Sequence, residues 1–280
     1  MSLKTPLKWV GGKTQILDTV YRHFPTQPPI AYYEPFLGGG SVLIEFLQKN
    51  PTYTGPIHAG DANPHLINFF QILQASPHEL CAALETLKTA YNAADAKETF
   101  YYDCRTAFNS ASLSPTTQAA HFLFLNKTCF RGLYRTGPRG FNVPYGNYKT
   151  PAIYEAAHLH AISTLIQRVN FHHTPYSELL KNIPPGSFIY MDPPYVPVAK
   201  DSFVSYNKDG FGLEEHKALF ARAAELVESG CNILMSNADT PLVREAFPEP
   251  AYTIETVECR RAINSKNPSA TAMEVLVWNI

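Results

Sequence analysis

The feature that most constrains the fold is an alternation of apolar segments and a glycine turn between residues 30 and 61. Ile30 to Pro35 reads as a short apolar strand, and the turn Gly38-Gly39-Gly40 follows it. Val42 to Gln48 then has a helical pattern, and Pro56 to Asp61 reads as a second strand. Strand, glycine turn, helix and strand with a final acidic residue form one half of a doubly wound sheet. The sequence therefore predicts an α/β fold.

The glycine turn, residues 38–40, also predicts a ligand. Glycines let the backbone turn sharply and approach a bound molecule, and the next helix offers unpaired N–H groups at its N-terminus. Asp61 stands 21 residues after Gly40, where an acidic side chain typically hydrogen-bonds a ribose hydroxyl. A nucleoside-containing cofactor is thus better supported than a purely structural turn. No Gly-Lys-Ser/Thr ending follows these glycines, which disfavours a triphosphate-binding loop.

The alternation of strand and helix is interrupted between residues 76 and 167. Helical patterns cover Lys97 to Asn109 and Thr116 to Leu125, and Thr136 to Pro151 is rich in Gly, Pro, Asn and Tyr, which predicts turns or a hairpin. Strand and helix signals alternate again afterwards. We predict one α/β domain formed by residues 1–75 and 168–280. A mostly helical insertion, 76–167, interrupts it and carries a hairpin segment at about residues 126–150.

Local signals predict three helix starts. Lys13 to Phe24 reads as a helix closed by Pro25. Asn63-Pro64 fits an N-cap with proline at the first helical position. Residues 76–79, Ser-Pro-His-Glu, fit a capping box.

Composition excludes several classes of protein. A formal net charge of -1, from 23 basic and 24 acidic residues, excludes a uniformly basic surface but leaves room for a basic cleft. The five cysteines are odd in number and form no Cys-x-x-Cys pair, and the ten histidines lack metal-ligand spacing, so we expect no disulfide framework and no metal site. Neither a membrane-spanning stretch nor a secretory signal is evident, and we expect a cytoplasmic protein.

A second chemical signal is the apolar strand at 189–191, which ends in Asp-Pro-Pro-Tyr at residues 192–195, hereafter the tetrapeptide. Two prolines fix the backbone and donate no N–H, so this edge presents acceptors. Asp192 adds a carboxylate and Tyr195 a flat aromatic face. Such a cluster suits a planar substrate that bears an amino group, such as a nucleobase. The alternative is a strand end followed by a rigid structural turn.

Four motifs together resemble the Dam-type family of DNA adenine-N6 methyltransferases. They are Pro-Leu-Lys-Trp-Val-Gly-Gly-Lys at 6–13, Glu-Pro-Phe-Leu-Gly-Gly-Gly-Ser at 34–41, Asp61 and the tetrapeptide. Their order, with the recognition insertion between cofactor motif and tetrapeptide, is that of the alpha-class (D12) enzymes. The resemblance spans essentially the whole chain. It implies a Rossmann-like S-adenosylmethionine-dependent methyltransferase sheet with an inserted, mostly helical DNA target-recognition domain.

The resemblance implies S-adenosylmethionine as methyl donor and S-adenosylhomocysteine as product. In relatives, the residues matching 9 and 13 line the methionine and adenine region, those matching 36–41 hold the amino-acid moiety, and that matching 61 binds the ribose. Residues 174–177 fall where relatives contact the cofactor adenine. The implied cofactor-binding residues are Trp9, Lys13, Phe36, Gly38, Gly40, Ser41, Asp61, Pro175 and Tyr176.

The resemblance also implies the catalytic residues. Asp192 and the Pro193 carbonyl would accept hydrogen bonds from the exocyclic amine of adenine, which favours a pyramidal nitrogen aimed at the methyl sulfonium. A base inside a duplex is out of reach, so it must be flipped out, and it would stack on Tyr195. Residues 202–207, just after the catalytic strand, are expected either to close over the flipped base or its backbone or to pack on the surface.

The hairpin segment carries the third signal. Residues 126–149 contain five basic side chains and no acidic one, which fits a DNA-contacting surface or a solvated loop. The stretch is similar to the target hairpin of GATC-methylating relatives, so we predict GATC as the target. It departs from them at Arg131, where relatives often have Asn.

By this likeness, Arg135 would read the outer guanine and Lys8 the first guanine. Leu133 and Pro144 would contact other base pairs, and Phe130 would wedge beside the flipped base. Basic residues at 260–266 are considered as further phosphate contacts.

Two alternatives stay open at this point. One is the same chemistry on RNA adenine or protein glutamine, and the other is a catalytically silent DNA-binding protein on this fold. The expected partner is double-stranded DNA, with no membrane. A cognate restriction endonuclease that acts on the same site without stable contact is the further partner considered. We expect a monomer, bacterial or phage-encoded and associated with the nucleoid.

Overall fold

The computed structural model describes residues 2–110, 112–197, 211–260 and 271–279. The stretches 202–207 and 261–266, which include predicted contacts, lie outside these residues. The helices of the described part are α1 Leu17–Arg22, α2 Ser41–Lys49, α3 Pro64–Ala75, α4 Pro77–Ala93, α5 Lys97–Asn109, α6 Pro115–Thr128, α7 Ala156–Leu165, α8 Tyr176–Leu179, α9 Leu213–Glu228 and α10 Pro241–Ala246. The strands are β1 Tyr32–Glu34, β2 Ile57–Asp61, β3 Thr136–Gly137, β4 Gly140–Phe141, β5 Val169–His173, β6 Phe188–Met191, β7 Asn232–Ala238, β8 Thr253–Arg260 and β9 Thr271–Trp278.

The main sheet has the strand order β5-β2-β1-β6-β7-β9-β8. β1 runs parallel to β2 on one side and to β6 on the other, and β6 runs parallel to β7. β9 is antiparallel to both β7 and β8. The strand order therefore reverses between β1 and β6, and ligands of open α/β sheets bind outside the carboxyl ends of the strands at such a reversal. The predicted α/β fold is confirmed.

The two strands at the reversal are buried. Every residue of β1 and of β6 is buried, as expected for parallel strands covered on both faces. Helix α9 contributes Leu219, Phe220 and Ala223 to the same apolar cluster as Ile189 and Met191 of β6. These positions recur at the three- and four-residue spacing of an amphipathic helix. Packing thus fixes the carboxyl end of β6, where the tetrapeptide begins.

The predicted helix starts had different outcomes. The side-chain oxygen of Asn63 accepts hydrogen bonds from the main-chain N–H groups of His65 and Leu66, so that N-cap is confirmed. The capping box at 76–79 is wrong, because Ser76 also closes α3 through a hydrogen bond from its N–H to the Ile72 carbonyl and makes no side-chain cap. The single helix over 13–24 is wrong as well. A 3-10 turn at Lys13–Gln15 precedes α1, and the non-helical backbone of Ile16 separates them.

The chain divides into two compact units. Unit 1 comprises residues 1–14, 38–51 and 63–173, and it contains the predicted insertion with its helices α4 to α7. The predicted hairpin is present in it, as β3 pairs antiparallel with β4. Unit 2 comprises residues 15–37, 52–62 and 174–280 and holds β1, β2 and β6 to β9. The division into a catalytic domain and an insertion at residues 76–167 stays a prediction.

Membrane-spanning helices and metal-binding clusters are both absent from the described residues. None of their helices is both long and apolar enough to cross a membrane. No group of three His, Cys, Asp or Glu side chains among them is placed to hold a metal ion.

Candidate active site and nucleic-acid interface

In unit 2, two carboxyl groups lie at the adjacent ends of β1 and β6, where the strand order reverses. Glu34 ends β1, and Asp192 directly follows β6. The register Tyr32 with Phe188 and Tyr33 with Ile189 places these two strand ends side by side. Asp192 is partly exposed and Pro193 is buried. The tetrapeptide thus lies where the fold binds ligands.

Glu34 is the more buried of the two acids, with 2% of its surface exposed. The hydroxyl of Tyr32 donates to Glu34 Oε2 at 2.6 Å. Burial raises the pKa of Glu34 to about 8, the hydrogen bond from Tyr32 opposes that rise, and the charge of Asp192 adds to it. Desolvation outweighs the hydrogen bond because an ionised carboxylate loses its hydration in the interior. Glu34 therefore holds a proton at neutral pH, next to Asp192.

The end of the tetrapeptide is fixed by side chains of the neighbouring strands. The hydroxyl of Tyr195 donates to Glu274 Oε2 of β9 at 2.8 Å. Burial, then the charges of Asp192 and Glu274, raise the pKa of Tyr195 well above its ordinary value, so it stays a neutral donor. The main-chain N–H of Val196, the next residue, donates to Asn237 Oδ1 of β7 at 3.0 Å.

Unit 2 also brings together four predicted cofactor residues. The rings of Phe36 and Tyr176 lie 5.3 Å apart, and Phe211 lies 5.9 Å from each of them. The main-chain N–H of Thr174 donates to the Asp61 carbonyl at 3.3 Å, which places the exposed Pro175 and the start of α8 beside the end of β2. A cluster of aromatic rings can pack against a purine, and a carboxylate at a strand end can bind ribose hydroxyls. This donor set fits an adenosine-containing cofactor.

Unit 1 places the other predicted cofactor residues around the glycine turn. Gly38 has φ +49°, and a Cβ there would lie 2.9 Å from Trp9 Cδ1. Gly40 adopts φ 73° as the N-cap of α2, so Ser41 opens that helix. The first N–H groups of a helix have no partner within it and favour a carboxylate. Lys13 is buried, and its Nζ donates to the Gly11 carbonyl at 2.7 Å.

The five residues predicted to contact the base pairs or to wedge into the duplex lie in unit 1, and Asn126 positions one of them. Asn126 Oδ1 accepts from the Lys8 N–H at 2.9 Å, and its Nδ2 donates to the Lys8 carbonyl at 2.7 Å. The Lys8 side chain is exposed, and its Nζ lies 4.5 Å from the ring centre of Tyr148. Gly132 has φ +66°, and a Cβ there would lie 2.5 Å from Lys8 Cβ. Glycine is therefore needed where these segments cross.

The remaining predicted contacts lie on the hairpin segment. Phe130, Arg135 and Pro144 are exposed and Leu133 is partly exposed. The Phe130 N–H donates to the Pro144 carbonyl at 2.8 Å, which joins the two sides of the hairpin. Arg135 Nε donates to Asn142 Oδ1 at 2.7 Å, so the guanidinium is oriented while other N–H groups of its five remain for a ligand.

Positive charge is concentrated in this segment. Burial and the nearby charge of Lys8 lower the pKa of Lys127 to about 8. Arg131 adopts φ 56°, in the left-handed region that non-glycine residues other than Asn and Asp rarely visit. Asparagine would suit this backbone better than arginine does.

Known proteins are similar to this chain over nearly its whole length. The model of the D12 class N6 adenine-specific DNA methyltransferases matches residues 9–263. The chain belongs to that family. It is 33% identical over 291 residues to the type II methyltransferase M.MjaIII of Methanocaldococcus jannaschii, with all of both chains covered. It is 35% identical over 274 residues to the DNA adenine methylase of Escherichia coli K12, covering 97% of this chain and 93% of that one.

Sequence reasoning missed several residues that the methyltransferase places at its site. Glu34 stands within the 34–41 motif, of which only Phe36, Gly38, Gly40 and Ser41 were given a role, although an acid at a buried strand end was a usable signal. Asn126 is an amide inside a basic stretch. Phe211, Asn237 and Glu274 are distant in sequence from every motif, so no local pattern could have identified them.

Proposed function

We propose that this enzyme transfers a methyl group from S-adenosylmethionine to N6 of an adenine flipped out of duplex DNA, within GATC sites. The observation that carries the proposal is the tetrapeptide at the carboxyl end of β6, next to β1 at the strand reversal. Membership of the D12 family supports adenine in DNA as the substrate.

S-adenosylmethionine, when bound, supplies an electrophilic methyl group on a positively charged sulfur and leaves as S-adenosylhomocysteine. Within unit 2, its adenine would pack against the ring cluster of Phe36, Tyr176 and Phe211, beside Pro175. Asp61 would bind the ribose. Within unit 1, Gly38, Gly40 and Ser41 provide a helix N-terminus for the carboxylate of the amino-acid moiety. Trp9, whose ring lies against Gly38, and Lys13 would line the methionine and adenine region of the cofactor.

The chemistry asks the tetrapeptide to activate a poor nucleophile, since the amine lone pair of adenine is delocalised into its ring. The Asp192 carboxylate and the Pro193 carbonyl accept hydrogen bonds from the two N–H groups of that amine. This favours a pyramidal nitrogen whose lone pair faces the methyl group, so catalysis rests on orientation and electrostatic stabilisation. Tyr195 offers its ring face to the flipped base.

Target choice is assigned to unit 1. Arg135 would read the outer guanine and Lys8 the first guanine, since basic side chains pair with guanine O6 and N7. Leu133 and Pro144 would contact the other base pairs, and the exposed Phe130 would fill the space that the flipped base leaves. We also propose that the enzyme acts as a monomer and associates with the nucleoid. A cognate restriction endonuclease would act on the same site without stable contact.

The test is incubation with labelled S-adenosylmethionine and a duplex with one GATC site, followed by mapping of the modified base. We expect label on adenine N6 within GATC, and none when Asp192→Ala is used. Parallel duplexes altered at one base, an RNA of the same sequence and a glutamine-containing peptide define the specificity. Label on RNA or peptide but not on DNA would overturn the proposal, and equal labelling of altered duplexes would overturn GATC.

A further inference from the structure

The segment that follows β6 cannot be held by an ordinary sheet ladder. Positions 193, 194 and 197 are proline, so only Asp192, Tyr195 and Val196 have main-chain N–H groups between residues 192 and 197. The geometry of the catalytic carboxylate therefore depends on contacts made by neighbouring strands. Two side-chain hydrogen bonds meet that need, one from β7 and one from β9.

The contact from β7 is made by Asn237, which is fully buried. Its Oδ1 accepts from the N–H of Val196 at 3.0 Å and from the N–H of Ala238 at 2.8 Å. Two donors on one atom fix which end of the amide is oxygen. Within the described part of the chain, Nδ2 is buried without a hydrogen-bond partner. A buried unsatisfied donor lowers stability, so its presence here calls for an explanation other than stability.

Asn279 shows what a purely structural amide looks like at the other end of the same strand. Its Oδ1 accepts from the Ile233 N–H at 2.7 Å, and its Nδ2 donates to the Cys231 carbonyl at 3.1 Å. Both ends of that amide are satisfied, and it lies away from the tetrapeptide end of β7. The two asparagines bind different parts of the chain. Asn279 forms hydrogen bonds at the start of β7, and Asn237 forms one with the segment that carries Asp192.

The contact from β9 lies beside it. Glu274 faces Ala238 across the β7–β9 pair, one register position from Asn237. Its Oε2 accepts from the Tyr195 hydroxyl at 2.8 Å. Consecutive residues of the same segment, 195 and 196, are thus held by adjacent strands, one through a side chain and one through the main chain.

We propose that Asn237 and Glu274 are positioning residues for methyl transfer, which fix the tetrapeptide through the Val196 N–H and the Tyr195 hydroxyl. They do not touch the base or the methyl donor. They set the orientation of Asp192 and of the Tyr195 ring, and a displacement of about 1 Å at a reacting centre can cost about 100-fold in rate.

The test compares Asn237→Ala with Asn279→Ala in single-turnover methylation at saturating DNA and S-adenosylmethionine, with thermal unfolding and cofactor affinity measured in parallel. We expect Asn237→Ala to slow the transfer step by about 10- to 100-fold with nearly unchanged cofactor affinity. Asn279→Ala should lower the unfolding temperature but keep the rate per folded molecule. Equal rates per folded molecule for the two variants would overturn the assignment of Asn237.

Two further variants keep the proposal falsifiable if Asn237→Ala does not fold. Asn237→Asp retains an oxygen acceptor for the Val196 N–H, and we expect this variant to fold and to transfer the methyl group faster than Asn237→Ala. If Asn237→Ala does not fold, Asn237→Asp is compared with the wild type and should be slower. Glu274→Gln retains an acceptor for Tyr195, and Glu274→Ala does not, so only the latter should be slow. The double variant Tyr195→Phe with Glu274→Ala should lose less rate than the product of the two single-variant losses, because both remove the same hydrogen bond. Rate losses that multiply would contradict the pairing of these two residues.

The inference rests on the proposed function because methyl transfer is its readout. A wild-type protein that transfers no methyl group to any duplex contradicts the proposed function. Wild-type turnover together with unaffected Asn237 and Glu274 variants contradicts only the positioning role.

Discussion

The tetrapeptide end of unit 2 and the hairpin segment of unit 1 are built by opposite means. The first gathers three acids: Glu34 at the buried end of β1, Asp192 directly after β6 and Glu274 within β9. The hydroxyl of Tyr32 donates to Glu34, and that of Tyr195 donates to Glu274. The second gathers five basic residues and no acidic one in residues 126–149, which include the short hairpin β3–β4. Four of the five, Arg131, Arg135, Arg139 and Lys149, are exposed.

The difference reflects two physical tasks. Orientation of a reacting group needs a rigid, poorly solvated setting in which hydrogen bonds and charges act strongly. Recognition of a nucleic acid needs donors that are exposed and positive, since phosphates and guanine edges are acceptors. A net charge of -1 is an average over the whole chain that hides both of these local excesses.

The largest expected effect separates chemistry from binding. Asp192→Ala should reduce the single-turnover rate by at least the order of 10³-fold, because the group that orients the amine is lost. DNA affinity and cofactor affinity should change little, as measured by titration. Asp18→Ala, an exposed acid on α1, is the matched control and should behave as wild type. Retained turnover in Asp192→Ala would remove the tetrapeptide from the mechanism.

The next effect belongs to the hairpin segment. Arg135→Ala should reduce discrimination between GATC and a site altered at the outer guanine by about 1–3 kcal/mol, since a bidentate base contact is lost. Competition binding to the two duplexes measures it.

Arg139→Ala is the control on the same hairpin, and it should weaken binding to both duplexes alike and make the salt dependence shallower. If Arg135→Ala kept its full preference for the cognate site, the assignment of Arg135 would be wrong.

A third effect comes from the raised pKa of Glu34, about 8. Between about pH 4.3 and 8 the unfolded chain ionises this carboxyl and the folded chain does not, so the free energy of unfolding should fall as pH rises, by at most about 1.4 kcal/mol per pH unit. The stability that the protonated group contributes is complete below that range and is lost through pH 8.

Glu34→Gln keeps an oxygen for the Tyr32 hydroxyl and does not titrate. Denaturant unfolding of both proteins at several pH values isolates the term, because the other groups are common to both. Parallel curves for the two proteins would contradict a protonated Glu34.

The smallest effect concerns backbone strain at Arg131. Arg131→Asn should raise the free energy of unfolding by up to about 1 kcal/mol, because asparagine tolerates the left-handed backbone better. Arg139→Asn removes the same charge at a residue without positive φ and should give no such gain. Denaturant titration of both variants measures it, and equal shifts in the two would show that the left-handed backbone costs nothing.

Much of the fold was accessible from the sequence because its signals are local. The predicted helix Lys97–Asn109 has the observed bounds, since its helical pattern lies within one continuous stretch of sequence. Asn63 caps α3 through bonds to residues two and three positions away. The capping box at residue 76 failed because the preceding helix ends on the same serine, which a local motif does not reveal.

The sequence by itself determined the alternation of strands and helices, the family motifs and the hairpin segment with its excess of bases. The tertiary structure alone decided that Glu34 is buried beside Asp192, that Asn126 holds Lys8, that Phe211 joins Phe36 and Tyr176, and that Asn237 and Glu274 hold the tetrapeptide. The physical reason is sequence separation. A cap or an amphipathic face is encoded within one turn or one helix, whereas partners 35 to more than 100 residues apart meet only when strand order and packing bring them together.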